Sequence, residues 1–107
     1  MARDPILVVV FLRGGADGLA LVSPTSDPDF IAARPEDLRV LRKGDGAGRA
    51  IAQDIADVDF RFHPAAVALA DLYDAGDLSL VHAAGLPEAT RSHFDAEARI
   101  ERGIFGA

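Results

Sequence analysis

An unbroken apolar run near the start of the chain constrains the fold more than any other feature of the sequence. Residues 6–12 read ILVVVFL, and the run breaks abruptly into Arg13, Gly14 and Gly15. Continuous hydrophobicity is typical of a strand that is covered on both faces, and such strands belong to parallel sheets flanked by helices. Ligands of open α/β sheets bind beyond the carboxyl ends of the strands. The run therefore predicts an interior strand and directs attention to Asp17 in the loop that follows.

Composition narrows the class of protein and its partners. The chain has 107 residues, of which 50% are hydrophobic, and these are sufficient for one domain with a core. The net charge of −6 argues against binding to a nucleic-acid backbone, and no apolar run approaches the roughly 18 residues of a membrane span. The absence of cysteine excludes disulfides and thiolate metal sites. We expect no nucleic-acid partner, no membrane span and, as given, a cytoplasmic protein; it would be exported or periplasmic if an upstream signal was removed from the parent.

Local patterns predict the remaining elements. In chain order they are a short helix within 27–35, a short strand or irregular edge at 38–41, a glycine-rich turn at 43–48, a short half-buried strand or extended segment at 57–63, a helix at 64–76, a strand at 78–82 and a helix from Ser92 to about Arg102. Within the helix at 64–76, the apolar stripe consists of Ala65, Ala68, Leu69 and Leu72.

The order of these elements predicts a βαβ-type arrangement. Strands 6–12 and 78–82 would form a parallel pair joined by a right-handed crossover. Parallel strands direct their carboxyl ends to the same edge of the sheet. Asp17 would then lie near residues 90–93, and the two clusters would share one crevice.

Asp17 lies between a buried strand and Gly18, and three roles fit it. A carboxylate at this place is able to bind a metal ion, act as a base, or cap a turn through its own backbone. The sequence alone leaves these alternatives open.

The second cluster, TRSHFD, lies at the start of the last helix. A hydroxyl of Thr90 or Ser92 could act as a nucleophile there, because helix amides and the helix dipole stabilise developing negative charge. Arg91 could bind an anion, and His93 could assist. The alternative interpretation is structural: Ser92 caps the helix, Thr90 belongs to a turn, and His93 is an ordinary side chain of the first turn.

Three ordered segments carry a resemblance to a known family: VVVFLRGGADGL, FRFHPAAVALADLYDAGDLSLVHAAG and TRSHFDA. They resemble the amino-terminal part of the bacterial family called domain of unknown function 1501, which is related to the alkaline phosphatase and sulfatase superfamily. The resemblance implies a large α/β sandwich with a parallel sheet, in which Asp17 binds metal and Ser92 or Thr90 is the nucleophile. Two divalent ions, whether zinc, magnesium, manganese or calcium, would lower the pKa of the nucleophile and stabilise the transferred group.

The sequence departs from that superfamily in one respect. Its members complete the metal site with downstream aspartates and histidines, including an Asp-His-Gly motif that this sequence lacks. Residues 1–107 are therefore expected to be a single domain or the amino-terminal fragment of a larger α/β domain, with phosphate or sulfate ester hydrolysis in the complete protein and none in the isolated chain. The alternative is a non-catalytic binding or assembly protein on the same fold. An exposed sheet edge would then pair with a second copy, or a missing carboxyl-terminal segment would cover it.

Overall fold

The computed structural model describes residues 3–51 and 57–103, which divide between two compact units. We call Asp17–His82 the central unit, and Met1–Ala16 together with Ala83–Ala107 the terminal unit. The central unit contains the helices α1 (Gly18–Leu21), α2 (Pro28–Ala33) and α3 (Val67–Asp74) and the strands β1 (Val22–Pro24), β2 (Arg49–Ala50) and β3 (Phe60–Phe62). The terminal unit contains α4 (His93–Arg102). The fold therefore mixes helices with a small sheet, and no helix in the described ranges is long and apolar enough to cross a membrane.

The sheet of the central unit is antiparallel, with β3 between β1 and β2. Phe62 of β3 lies opposite Val22 of β1 and Arg49 of β2. The alternation of apolar and charged residues predicts a short half-buried strand or extended segment at 57–63; the structure forms the strand at Phe60–Phe62, where Phe62 is only 1% exposed. This strand therefore supplies the centre of the sheet and its largest buried side chain.

The buried core of the central unit lies around Phe62. The other buried residues are Phe30, Val40, Ala70, Ser23 and Thr25. The ring of Tyr73 meets Phe62 edge to face, with 5.9 Å between the ring centroids. Helix α3 thus turns Ala70 and Tyr73 towards the sheet. The stripe predicted from sequence is wrong, because Ala68 and Leu72 are exposed.

Capping signals place three helix ends correctly. Asp27 accepts hydrogen bonds from the backbone N–H groups of Asp29 and Phe30 at the start of α2. The chain leaves α3 through Gly76, whose φ of +82° lies in the left-handed region. Helix α4 begins after Ser92, as predicted. Around 38–41, the structure shows a 3₁₀ turn at Glu36–Leu38 and then irregular backbone.

The predicted strands at 6–12 and 78–82, and the parallel pairing between them, are not found in the structure. Both segments lack regular secondary structure, and side chains in the first are largely exposed: Ile6 is 89% and Val9 77% exposed. A strand with two apolar faces needs hydrogen-bonding neighbours and cover on both sides. Within the described residues the only sheet is the antiparallel one, and it uses other segments.

Asp59 joins several loops of the central unit. Its carboxylate accepts hydrogen bonds from Arg61 and Arg42, and its backbone carbonyl accepts one from the hydroxyl of Thr25. Burial raises the pKa of Asp59, but the bonds from the two arginines outweigh burial and leave that pKa below its usual value. The charged form of Asp59 is therefore the one that the fold stabilises.

Candidate functional site

Asp17 caps the short helix α1. Its Oδ1 accepts a hydrogen bond of 3.1 Å from the backbone N–H of Leu19, and its extended backbone conformation is typical of a cap residue. The side chain is 51% exposed. Of the roles left open by the sequence, capping is therefore the one whose geometry is present.

Arg34 holds the carboxylate of Asp17 from the other side. Its Nη1 donates to Oδ2 at 2.8 Å, and its Nη2 donates to Oδ1 at 3.0 Å. These side-chain hydrogen bonds are the main reason why the pKa of Asp17 lies below its usual value. The two-bonded geometry is the strongest arrangement of arginine on a carboxylate. Asp17 is therefore a charged group with a cation already bound to it.

The described residues do not by themselves fit a divalent ion. Dedicated metal sites need several converging ligands. In residues 3–51 and 57–103, no group of three or more acidic, histidine or cysteine side chains is placed to hold a metal. Asp17 contributes a single carboxylate, and both of its oxygens accept hydrogen bonds from Arg34. Metal binding at Asp17 therefore remains a prediction that needs ligands from outside these residues.

The hydroxyl groups of Thr90 and Ser92 both accept backbone hydrogen bonds at the start of α4. Thr90 Oγ1 accepts one of 3.2 Å from the N–H of Ser92, and Ser92 Oγ accepts one of 3.3 Å from the N–H of Asp95. Each oxygen thus has a donor that would stabilise negative charge on it. The local geometry therefore does not distinguish the two residues as nucleophiles.

Arg91 and His93 flank these hydroxyls and are exposed. His93 is the first residue of α4, in the turn where helix N–H groups are unpaired. In the described part of the chain, neither side chain is hydrogen bonded to Ser92 or Thr90. An activated hydroxyl needs a base or a metal ion close to it. Arg91, Ser92 and His93 are thus exposed and Thr90 is half-buried, and in the described part of the chain no base is hydrogen bonded to either hydroxyl.

An ion pair in the terminal unit joins the loop after residues 6–12 to α4. Arg13 donates from Nε and Nη2 to Oε2 of Glu97, at 3.2 and 2.8 Å, and its Nη2 lies 3.4 Å from Glu101. The side chain of Glu97 is only 13% exposed. The next residue, Gly14, is also close to Glu97, since a Cβ built at Gly14 would lie 3.6 Å from Oε1 of Glu97. The loop and the helix are thus neighbours although they lie 84 residues apart.

Sequence reasoning missed three charged residues. Arg34 binds Asp17 in the central unit, and Arg13 and Glu97 form an ion pair in the terminal unit. A signal existed for Glu97, because Glu97 and Glu101 are four residues apart and share one face of α4. No local signal pointed to Arg34, which is 17 residues from its partner.

The candidate residues are distributed over both units. Asp17 belongs to the central unit, while residues 90–93 belong to the terminal unit together with Arg13 and α4. The shared crevice of Asp17 with residues 90–93 thus stays a prediction. Comparison of the chain with protein-family models, with curated proteins and with solved structures gave no match.

Proposed function

We propose that this chain is the amino-terminal portion of a metal-dependent hydrolase of phosphate or sulfate esters, similar to the family of domain of unknown function 1501. One observation carries the proposal: the ion pair between Arg13 and Glu97. Within the terminal unit, it links Arg13 of the first motif to Glu97, on the helix that begins in the third motif.

The argument from this ion pair is geometric. The glycine-containing loop that begins at Arg13 leads within four residues to Asp17. Glu97 lies on α4, the helix that begins just after Ser92. An open α/β sheet would bring a strand-end loop and a helix start together at its carboxyl edge. The contact is of the kind that this arrangement predicts, and composition or charge alone would not predict it.

The exposed apolar segment 6–12 supports the proposal of a parallel sheet. Its seven side chains are apolar without a break, and several lie more than three quarters in solvent. Such a run is stable as a strand once other strands pair with it and helices cover it. We propose that further polypeptide provides these neighbours and builds a parallel sheet of the alkaline-phosphatase-like type.

The roles of the residues follow from the same proposal. The hydroxyl oxygen of Ser92 or Thr90 would bond to the phosphorus or sulfur of the ester as the bond to the alcohol breaks; the alcohol leaves with the proton lost by the hydroxyl, and water later releases phosphate or sulfate. The backbone donor on each hydroxyl oxygen stabilises its charge. Arg91 binds the anionic group, and His93 assists proton transfer. Asp17 is one metal ligand, and the remaining ligands come from outside the residues that the structure describes. The isolated chain is therefore inactive.

The test is turnover by the longer parent protein with divalent metal added. Asp17→Asn and Ser92→Ala should each lower kcat on a phosphate or sulfate ester by at least about a hundredfold, as removal of an essential group does. Should Ser92→Ala leave turnover intact, Thr90→Ala takes its place as the decisive variant. Undiminished turnover in all three would refute the site assignment.

Matched controls separate chemistry from folding. Asp27→Asn changes another carboxylate that caps a helix, so it controls for the loss of a charged cap at Asp17. Ser92→Asn removes the hydroxyl but supplies another oxygen that is able to cap α4. Loss of activity in Ser92→Asn with an unchanged melting temperature would assign the effect to the hydroxyl.

A second candidate function rests on the same exposed segment. A binding or assembly protein would use residues 6–12 to associate with a second copy, because this exposed apolar segment could form a strand by pairing with the same segment of that copy. Val9→Lys should then abolish self-association in sedimentation equilibrium. Val81→Lys is the control, since Val81 is 83% exposed and lies outside the segment. A parent that binds no metal by elemental analysis would favour this candidate over the hydrolase.

A further inference from the structure

The chain contains two Asp-Gly pairs, Asp17–Gly18 and Asp45–Gly46, and no asparagine. A glycine after an aspartate favours closure of the side-chain carboxyl onto the next backbone nitrogen, because glycine has no Cβ to hinder that approach. The product of this closure is a five-membered succinimide ring. Since the two pairs have the same chemistry, the structure around each pair decides which one reacts.

Asp45 and Gly46 lie at the tip of an exposed turn. A hydrogen bond of 3.2 Å from the N–H of Ala47 to the carbonyl of Gly44 closes this turn. In the described part of the chain, the carboxylate of Asp45 has no hydrogen bond or ion pair, and the N–H of Gly46 is not hydrogen bonded. Both reacting groups are therefore free, and the glycines on either side of Asp45 leave the backbone able to bring them together.

Asp17 and Gly18, by contrast, are held by several hydrogen bonds. Both carboxylate oxygens of Asp17 accept from Arg34, and Oδ1 also accepts from the N–H of Leu19. The backbone carbonyl of Asp17 accepts bonds from two N–H groups of α1. To reach the nitrogen of Gly18, the carboxyl carbon has to rotate away from Arg34, and bidentate bonds between arginine and a carboxylate are strong ones. The ring therefore closes at Asp17 only after these bonds break.

We propose that Asp45 is a site of spontaneous isomerisation to isoaspartate, and that the hydrogen bonds of Asp17 protect the other Asp-Gly pair. The nitrogen of Gly46 bonds to Cγ of the protonated carboxyl of Asp45, and the N–H proton leaves with the carboxyl hydroxyl as water. Water then adds to the backbone carbonyl carbon of Asp45 and breaks its bond to that nitrogen. The chain now continues through Cγ, and the former backbone carbonyl is a free carboxylate. The isomerisation consumes no oxidant or reductant and is independent of the proposed hydrolase activity.

Incubation of the folded 107-residue chain at mildly acidic pH, followed by digestion with trypsin, tests both parts of the proposal. Trypsin separates the two pairs into the peptides 44–49 and 14–39, because the bond between Arg34 and Pro35 resists cleavage. Isoaspartate and aspartate have the same mass, but electron-transfer fragmentation distinguishes their backbones. Conversion should be at least about tenfold faster at Asp45 than at Asp17, since charge-assisted hydrogen bonds must break before Asp17 reacts.

The same chain unfolded in urea is the matched control. Both pairs lose their structure there, so the difference between the two rates should disappear. In the folded chain, Arg34→Gln should raise conversion at Asp17 and leave conversion at Asp45 unchanged. Asp45→Glu should remove conversion from the peptide 44–49, because glutamate closes a six-membered ring less readily.

The folded and unfolded wild-type chains decide the question even if Arg34→Gln does not fold. Equal rates at the two pairs in the folded chain overturn the proposal. So does a rate at Asp17 that stays slower than at Asp45 in urea, because the sequence around each pair and not the structure would then set the difference. Absence of isoaspartate at Asp45 in the folded chain, while the unfolded chain acquires it, overturns the proposal as well.

Discussion

Gly48 is the position at which one added methyl group should damage the central unit most. A Cβ at this residue would lie 2.3 Å from Cγ1 of Val40, 2.8 Å from Cβ of Arg61 and 2.9 Å from the carbonyl oxygen of Phe62. Arg61 and Phe62 belong to the central strand, and the backbone oxygen does not move without disturbing the sheet. Arg49, the next residue, is paired with Phe62. Gly48→Ala therefore forces strand β2 away from strand β3.

The magnitude follows from the cost of overpacking. Extra carbon atoms in a packed core typically cost 1–3 kcal/mol of the free energy of unfolding. Three contacts below 3 Å, one of them to backbone, place Gly48→Ala near the upper end, at about 3 kcal/mol. At 4–8 °C for each kcal/mol in a small domain, the melting temperature should fall by roughly 15 °C.

Urea denaturation, followed by circular dichroism, measures the change. Gly46→Ala is the matched control, because this glycine lies in the same turn, has a φ of +75° and has nothing within 4 Å of a Cβ. Its cost is backbone strain alone, about 1 kcal/mol. Both variants lose the same freedom in the unfolded chain, so the difference between them is the clash at Gly48 less the strain at Gly46, about 2 kcal/mol. If Gly48→Ala is no less stable than Gly46→Ala, the close packing described for Gly48 is refuted.

Three further predictions test the core, the charge network and the terminal unit. Phe62→Ala should lower the free energy of unfolding by about 3–5 kcal/mol, whereas the exposed Phe94→Ala should change it by less than about 0.5 kcal/mol, both measured in urea. Because the folded-state pKa of Asp59 is lowered, its contribution is present above the unfolded pKa of about 3.9 and lost as pH falls through the folded value; Asp59→Asn should flatten that acid limb of the melting curve. Arg13→Gln should speed amide hydrogen exchange in α4, and the reversed pair Arg13→Glu with Glu97→Arg should restore protection. Unchanged exchange in Arg13→Gln would show that the ion pair does not hold the helix.

Local signals in the sequence were enough for several elements. Asp27 followed by proline predicts the start of α2, and Ser92 with Gly103 predicts both ends of α4. Alternation predicts β3. For the two helices the deciding interactions lie within a few residues of one another, so the pattern is visible in a short window; for β3 the alternation is local although its partners are distant.

The elements that failed depend on distant partners. Residues 6–12 have the composition of a strand, but a strand exists only with a neighbour that the pattern does not specify. Strands β1 and β2 are too short to show alternation, and β1 includes Pro24. The residues of the candidate site show the same difference between local and distant contacts. The cap at Ser92 was predictable from Asp95, whereas the contact from Arg34 to Asp17 joins residues 17 positions apart and leaves no pattern in a short window.

The register of the small sheet also predicts the order in which its strands pair during folding. Phe62 meets Arg49 after a loop of about 13 residues but meets Val22 only after about 40. Closing the longer loop costs about 1 kcal/mol more in chain entropy. We therefore expect β2 and β3 to associate first and β1 to join them last, bringing α1 and Asp17 with it. The candidate ligand thus lies where the unit closes last, and its amides should be among the first to exchange with solvent.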